Sequence, residues 1–406
     1  MTQRQRWILC ITSLYSLLLL PVWDTALVPL SALTAFIIAL RQGAFSLVRQ
    51  HYAAVLGCWA LLMVVNVAAS VMPAKAFTGG FHILRGLSMF MPALLLAPLV
   101  PAPIRYRTLQ GLVVLVAIGA LGLLIQIAPA TDHYEGLLLL SYDWFGNLHN
   151  LVNVMAGVLI AALVLGITAR CRRDRMLALV TGLPVVLLLL WLSSEGAWIA
   201  LLISLAAGCI LFAGRGLQLL AWLGIAGLTV LLHLFYLTPE LAQQLTGLEL
   251  GSLVARTEIY TALLASWLDA PWLGWGFSTY KYLPAAQVAG VEYLYPHHLY
   301  LEALFSAGLV GCLLLLLLFR ALGRYIDWSA VRSDPLALLG FLLLCYTAAK
   351  GLTDMKLFSA QTFSLFGFCF GLMSRLPVHS EPALQAQWSA SDRAIRPADP
   401  VRQSVG

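Results

Sequence analysis

Apolar stretches long enough to cross a membrane recur along almost the whole chain. A helix needs about 20 mostly apolar residues to span the hydrocarbon layer. Only 10% of the 406 residues are charged, against about 25% in soluble domains. The sequence therefore predicts an all-α polytopic membrane protein with about twelve transmembrane helices. The predicted spans are roughly residues 7–23, 25–40, 52–72, 83–100, 108–128, 150–169, 176–192, 197–213, 218–236, 299–318, 336–353 and 357–375.

Basic residues are distributed unevenly between the two sides of these spans. Of the 24 lysines and arginines, 18 fall on one side, together with both termini. Because cytoplasmic connections carry an excess of lysine and arginine, this side is predicted to be cytoplasmic. The chain divides into a single transmembrane domain, residues 1–376, and a disordered cytoplasmic tail, residues 377–406, rich in Pro, Ala, Ser and Gln.

Several classes of function lack their signatures in this sequence. The cysteines and histidines show no metal-ligand spacing, and the chain has no P-loop and no dinucleotide fingerprint. The net charge of +6 comes mostly from the cytoplasmic arginines and gives no support to nucleic-acid binding. No metal, no cofactor and no nucleic-acid partner is therefore predicted.

Six basic residues break the cytoplasmic pattern and fall in outer loops or in the outer half of a span. They are Lys75, Arg85, Arg256, Lys281, Lys350 and Lys356. Positive charge near the outer leaflet favours an anionic ligand with a membrane-embedded part, such as a lipid phosphate. The alternative to ligand binding, for any single one of these residues, is that its side chain extends to the membrane surface or forms a local ion pair. Lys350 and Asp354 could form such a pair. Arg85 and Arg256 stand among polar and aromatic neighbours, where ligand binding is favoured.

Only one outer connection is long, residues 237–298, and loops of that length usually have a function. Its segment 252–269 is predicted to form a helix that stops before Pro271. Arg256 and Tyr260 share one face of this helix because they are four residues apart. Such a mixed face suits a position on the membrane surface or over a cavity.

The long loop ends at Pro296, a residue favoured at the first position of a helix, so the tenth span is predicted to begin there. His297 and His298 would then lie in the first turn, beside N–H groups without intrahelical partners. A helix N-terminus binds anions and favours the neutral form of a nearby histidine. A neutral imidazole beside an anion can act as a general base. The alternative is that the two histidines are solvated and have no chemical role.

The segment "HHLYLEALFSAGLVG" resembles the hallmark of the O-antigen ligase superfamily. That hallmark is a histidine, usually followed by asparagine, then a leucine four residues after the histidine, and a Gly-x-x-Gly. The corresponding residues are His297, Leu301, Gly308 and Gly311, with His298 where asparagine is usual.

A second resemblance lies upstream, in "RTEIYTALLASWLDAPWLGWG". This segment is similar to the family's arginine, followed by an aromatic residue, a proline and Gly-aromatic-Gly. The correspondence falls on Arg256, Pro271, Gly274 and Gly276. The two motifs cover about 60 residues, and the predicted topology resembles that of the family over the whole chain.

The sequence departs from the family after the seventh predicted span, where serine-arginine-glycine is common. Glu195 stands where that arginine would be, so a second phosphate-binding arginine is missing there. Arg85, with His82 one turn before it, could supply the charge, and so could Lys75 or Lys281.

The resemblance implies an inverting, metal-independent, GT-C-type glycosyltransferase of the bacterial inner membrane, with its active site facing the periplasm. It would transfer O-antigen glycan from undecaprenyl diphosphate to a sugar hydroxyl of lipid A-core, so its partners are this donor, this acceptor and membrane lipid. A diphosphate is a good leaving group, so such an enzyme mainly needs neutralising charge and a base. The implied base is His297, and the candidate substrate-binding residues are Arg256, Arg85, Lys281, Lys75, His298, Tyr260 and His82.

Three alternatives remain open. A polysaccharide polymerase of the same superfamily would use a second lipid-linked glycan as acceptor. Polymerases often carry an arginine and a glycine eleven residues apart, an offset that neither Arg85 nor Arg256 shows. A protein O-glycosylating relative would usually have a larger outer domain. A lipid or sugar transporter should show internal repeats and charged or broken helices near mid-membrane, and the sequence reveals no convincing repeat.

Overall fold

A computed structural model describes residues 2–41, 45–127, 148–169, 171–192, 194–214, 216, 218–220, 222–227, 251–288, 291–292, 296–353 and 355–375. The helices are α1 (Gln3–Arg41), α2 (Phe45–Ala69), α3 (Pro73–Leu87), α4 (Phe90–Leu99), α5 (Ala102–Ile127), α6 (Leu148–Thr168), α7 (Arg172–Trp191), α8 (Glu195–Phe212), α9 (Gly251–Asp269), α10 (Leu299–Gly323), α11 (Trp328–Ser333), α12 (Pro335–Lys350) and α13 (Ala360–Met373). Two short 3-10 turns, Tyr280–Tyr282 and Pro284–Ala286, precede an antiparallel pair of two-residue strands, β1 (Gln287–Val288) and β2 (Val291–Glu292). The predicted tail, residues 377–406, lies outside the described residues.

Six helical segments of the described chain are long and apolar enough to cross a membrane. They are Tyr52–Ala69, Pro73–Leu99, Ala102–Ile127, Asn150–Thr168, Arg172–Trp191 and Leu299–Gly323. Shorter apolar helices cover Leu30–Arg41, Gly196–Phe212, Gln218–Gly227, Pro335–Lys350 and Ala360–Met373. These helices agree with a polytopic helical membrane protein, and the number of twelve spans stays a prediction.

The N-terminal and C-terminal parts of α1 pack against each other. The hydroxyl of Ser31 donates a hydrogen bond to the carbonyl oxygen of Thr12 at 3.1 Å, across a separation of 19 residues. In a straight helix these residues would lie about 28 Å apart. The chain therefore reverses direction between them, as two predicted spans in this region require.

The fourth membrane segment begins earlier than its predicted start. The α3–α4 unit forms one apolar segment of 27 residues, Pro73–Leu99, instead of 83–100. Its mean hydropathy of 1.4 is the lowest among the six long segments, because Lys75, His82 and Arg85 interrupt it. Arg85 consequently lies near the middle of this segment. Its place in the outer half of a span stays a prediction.

Small residues fix the α3–α4 unit directly against α13. A Cβ atom added at Gly86 of α3 would lie 2.6 Å from the carbonyl oxygen of Ala360, and one at Gly371 of α13 would lie 2.6 Å from the Cβ of Ala93. No side chain fits between the helices at either position, so their backbones approach closely. This contact fixes the orientation of the α3 face that carries His82 and Arg85.

Candidate active site

The membrane helix α10 is interrupted at Gly308, whose φ of 62° and ψ of −171° are not helical. An unsatisfied backbone group in a membrane costs several kcal/mol, so the freed groups need other partners. The loop 271–276 supplies them. Four hydrogen bonds of 2.9–3.0 Å do this: the N–H groups of Trp275 and Gly276 donate to the carbonyls of Phe305 and Ser306, and those of Leu309 and Val310 donate to the carbonyls of Pro271 and Trp272.

Two of the family-like glycines meet at this junction. Gly274 and Gly308 both have positive φ, 69° and 62°. A Cβ at Gly308 would lie 2.4 Å from the carbonyl oxygen of Trp272, and one at Gly274 would lie 2.6 Å from the backbone nitrogen of Gly308. The glycines are therefore needed for the close approach of two backbones.

Asn66 of α2 joins the loop to the break in α10, although it is not among the predicted site residues. Its side chain is 2% exposed. Its amide nitrogen donates to the carbonyl of Ser306 at 2.9 Å, and its Oδ1 accepts the N–H of Phe277 at 2.7 Å. The available sequence signal was a lone amide within "LLMVVNVAAS", because a polar side chain inside a span requires partners.

The two histidines lie at the start of α10 but not inside its first turn. The helix begins at Leu299, His298 is its N-cap, and His297 precedes it with a left-handed φ of 54°. The predicted start at Pro296 is therefore wrong. Proline is favoured at a helix start without requiring one, and the backbone of His297 does not allow a right-handed helix to run through it.

His298 caps α10 with its own ring. The side chain is 2% exposed, and its Nδ1 accepts the N–H of Leu301 at 3.1 Å. The ring packs edge-on against Tyr260, with centroids 5.0 Å apart. Asparagine is among the best N-cap residues, which gives a physical reason for its usual presence at this position in the family.

The helix α9 packs against this histidine pair. It runs from Gly251 to Asp269, as predicted within one residue. Tyr260 is 5% exposed, and its hydroxyl donates to the carbonyl oxygen of His297 at 3.4 Å. Arg256 lies one turn before Tyr260 and is half-buried. The predicted face of α9 thus lies at the start of α10.

A pocket of about 210 Å³ lies between α3, the turn 278–282, α10 and the connection 355–359. It is lined by Lys75, Thr78, His82, Ser278, Tyr280, Lys281, Tyr282, Glu302 and Lys356. Three predicted residues, Lys75, Lys281 and His82, therefore come together from distant parts of the chain. The other predicted residues, Arg85, Arg256, Tyr260, His297 and His298, which the structure also describes, lie outside this lining.

Positive charge is concentrated at the mouth of the pocket. The ammonium groups of Lys75 and Lys281 lie 4.8 Å and 5.0 Å from the ring centroid of Tyr282. Hydrogen bonds from Lys75 and Lys281 lower the pKa of the Tyr282 phenol from its usual value. All three side chains are exposed, so this cluster is open to a ligand.

The pocket and the histidine pair lie at the same end of α10. Glu302 lines the pocket and lies one turn after His298 on the helix. Tyr280, also in the lining, packs edge-on against Phe305 at 5.8 Å and belongs to the same buried cluster as Tyr260. An anion in the pocket and a group beside the histidines would therefore be close neighbours.

The position of the missing family arginine has a lysine beside it. Glu195 begins α8, and Lys350 at the end of α12 is only 2% exposed. A Cβ at Gly196 would lie 3.2 Å from the Nζ of Lys350, so this ammonium group lies against the start of α8. The predicted alternative partner of Lys350, Asp354, lies outside the described residues.

The described chain contains apolar helices of membrane-spanning length. One of them has two histidines at its start and borders a lysine-lined pocket. These features define a polytopic membrane protein with a candidate anion site. Residues 177–316 match the family model described as O-antigen ligase. This match confirms the resemblance to the O-antigen ligase superfamily, and it includes both motifs on which the resemblance rests. The family indicates a glycosyltransferase-like enzyme of the ligase and polymerase kind that acts on lipid-linked glycans. A search of curated proteins gave no match.

Proposed function

We propose that this protein is an O-antigen ligase that transfers glycan from undecaprenyl diphosphate to a sugar hydroxyl of lipid A-core. It would be an inverting, metal-independent, GT-C-type enzyme of the bacterial inner membrane. Its active site would face the periplasm, and both termini would be cytoplasmic. The family match supports the general reaction, a glycan transfer between lipid-linked substrates.

The observation that carries the proposal is the arrangement at the start of α10. Lysines from three separate segments line one pocket, and two histidines lie at the N-terminus of the helix that forms its wall. A departing diphosphate needs positive charge, and an attacking hydroxyl needs a base. The arrangement offers both groups without a metal in the proposed reaction.

The residues have separate roles in the proposed transfer. The acceptor hydroxyl oxygen attacks the anomeric carbon while the imidazole of His297 takes its proton. The bond from that carbon to the diphosphate oxygen breaks, and the diphosphate leaves with the bonding electrons, stabilised by Arg256 and the pocket lysines. Displacement from the opposite side inverts the anomeric configuration. His298 and Tyr260 position His297, because one caps the helix behind it and the other binds its carbonyl.

The break in α10 does not favour a transporter. Transporters use broken helices because the freed backbone groups and helix ends coordinate substrate or ions. Here the loop 271–276 occupies those groups with four hydrogen bonds.

Arg256→Ala should raise the donor concentration needed for half-maximal transfer by about 10- to 100-fold, since a hydrogen bond to a charged group contributes roughly 1.5–3 kcal/mol. Arg256→Lys should keep part of the affinity, because a point charge replaces a two-pronged donor. Donor titrations with purified enzyme at fixed acceptor would measure both. Glu258→Gln, at an exposed position of the same helix, is the matched control. An unchanged donor dependence in folded Arg256→Ala would contradict this role.

Deletion of the gene separates the ligase from the polymerase. Loss of all polymer-bearing lipopolysaccharide, with lipid-linked polymer still made, is the result expected for a ligase. Core carrying a single repeat unit would instead identify a polymerase. Extraction of both lipid fractions from the same deletion strain, and from the strain complemented with the intact gene, gives the comparison.

A further inference from the structure

We infer that Lys356 is a further diphosphate-binding residue and that Glu302 is its positioning residue. The inference rests on the proposed function for the identity of the ligand, the diphosphate of a lipid-linked donor. Both side chains line the pocket together with Lys75 and Lys281. Neither corresponds to a motif residue of the family resemblance.

Glu302 holds the segment that carries Lys356. Its carboxylate is buried at 2% exposure, and its Oε2 accepts the N–H of Leu357 at 2.6 Å. Leu357 is the residue directly after Lys356, so this bond holds the backbone next to the lysine. A buried carboxylate with a backbone donor is a strong local anchor. Glu302 therefore fixes the connection between α12 and α13 against α10.

The backbone around Lys356 is fixed from its other sides as well. The hydroxyl of Thr362 donates to the carbonyl of Lys356 at 2.6 Å. Phe358 packs against Phe277 with centroids 4.3 Å apart, and Asn66 holds the N–H of Phe277. Only the half-buried side chain of Lys356 remains to adjust to a ligand. Such preorganisation lowers the entropy lost on binding.

The charge of the pocket fits a diphosphate. Three lysines and one histidine face a single carboxylate in the lining, and a backbone N–H group already binds that carboxylate. A diphosphate carries the negative charge that this lining can neutralise, whereas a sugar hydroxyl is uncharged. The charge of the pocket therefore favours the lipid-linked donor over a sugar hydroxyl of the acceptor.

Lys356→Ala should weaken binding of farnesyl diphosphate to the purified full-length protein about tenfold, whereas Lys356→Arg should stay within about threefold of the wild type. Inorganic pyrophosphate should bind more weakly than farnesyl diphosphate and lose the same factor in Lys356→Ala, because it shares only the charged contacts. Arg324→Ala, exposed after the far end of α10, is the control and should bind as the wild type does. Unchanged binding of both probes by Lys356→Ala would overturn the inference.

The positioning role of Glu302 has its own readout. Glu302→Gln keeps an oxygen that accepts the N–H of Leu357, so its farnesyl diphosphate affinity should stay within about threefold of the wild type. Glu302→Ala should weaken binding as Lys356→Ala does, and the double variant should be no weaker than Lys356→Ala alone. If the losses of affinity in the two single variants add up in the double variant, Glu302 does not act by positioning Lys356.

A second pair of variants covers the case in which Glu302→Ala does not fold. Thr362→Val removes the hydrogen bond to the carbonyl of Lys356 at nearly constant volume, and Thr362→Ser restores it. Thr362→Val should weaken farnesyl diphosphate binding, and Thr362→Ser should recover it. Equal binding by these two variants would refute the requirement for a fixed Lys356 backbone.

Failure of the inference can be told from failure of the proposed function. Binding of farnesyl diphosphate needs no acceptor and no transfer, so it is measurable whichever reaction the protein performs. If the wild type transfers glycan and Lys356→Ala keeps its donor affinity, the function stands and the inference falls. If Lys356→Ala raises only the acceptor KM, the pocket binds the acceptor and the inference is likewise wrong.

Discussion

His297→Asn should abolish glycan transfer, with kcat reduced by about 10²- to 10⁴-fold, while the protein stays folded in the membrane. The substitution removes the imidazole that takes the proton of the acceptor hydroxyl. Asparagine is preferable to alanine here because His297 has a left-handed φ of 54°, which asparagine adopts more readily. Lost activity would then reflect the missing base instead of a strained backbone. The reduction in kcat can be measured with purified enzyme, as the rate of glycan transfer from the lipid-linked donor to the core acceptor.

His298→Asn is the matched control for this experiment, because it makes the same change at the neighbouring residue. The asparagine side chain can accept the N–H of Leu301 in place of the imidazole Nδ1, so α10 keeps its cap. Much of the activity should therefore remain. Normal transfer by His297→Asn together with its loss in His298→Asn would reverse the roles assigned to the two histidines.

Gly308→Ala should prevent the protein from reaching a stable fold. The new Cβ would lie 2.4 Å from the carbonyl oxygen of Trp272, and alanine would be forced to a φ of 62°. The left-handed conformation alone costs alanine about 1–2 kcal/mol. Relief of the overlap requires the loop 271–276 to separate from α10, which breaks four backbone hydrogen bonds. The yield of monodisperse protein in detergent and its resistance to proteolysis would report the loss.

Gly111→Ala in α5 controls for the effect of adding a methyl group to a membrane helix. Among the described residues, a Cβ at this position would have no heavy-atom neighbour within 4 Å. Alanine has the higher helix propensity, so this variant should be neutral or slightly more stable. A yield of Gly308→Ala equal to that of Gly111→Ala would show that the loop and the helix can separate without cost.

The membrane helices could be predicted wherever their ends are marked locally. The predicted spans 176–192 and 336–353 correspond to α7 and α12, because charged residues and proline interrupt the apolar runs there. The prediction failed at α3, where lysine, histidine and glycine obscured a helix that packing against α13 stabilises. It also failed at the first turn of α10, where contacts outside the helix fix the backbone.

The candidate site could be predicted only where one short segment contains the signal. Arg256, Tyr260 and the two histidines were proposed as site residues because their motif and helical spacing are local. Asn66 was not, because its partner Ser306 lies 240 residues away. The pairing of Glu302 with the segment of Lys356 likewise depends on a contact across 55 residues, which no spacing rule reveals.

The hydrogen bonds between the loop 271–276 and α10 can form only after both segments have been synthesised. The loop emerges from the ribosome before α10, and Asn66 in α2 emerges long before both. The carbonyl groups at the break of α10 therefore find their partners already synthesised when the helix enters the bilayer. If the loop had not yet crossed the membrane, α10 would first insert as an unbroken helix and would bend at Gly308 only after the loop docks. In the proposed topology, translocation of the loop would be the step that converts an ordinary membrane helix into the scaffold of the proposed active site.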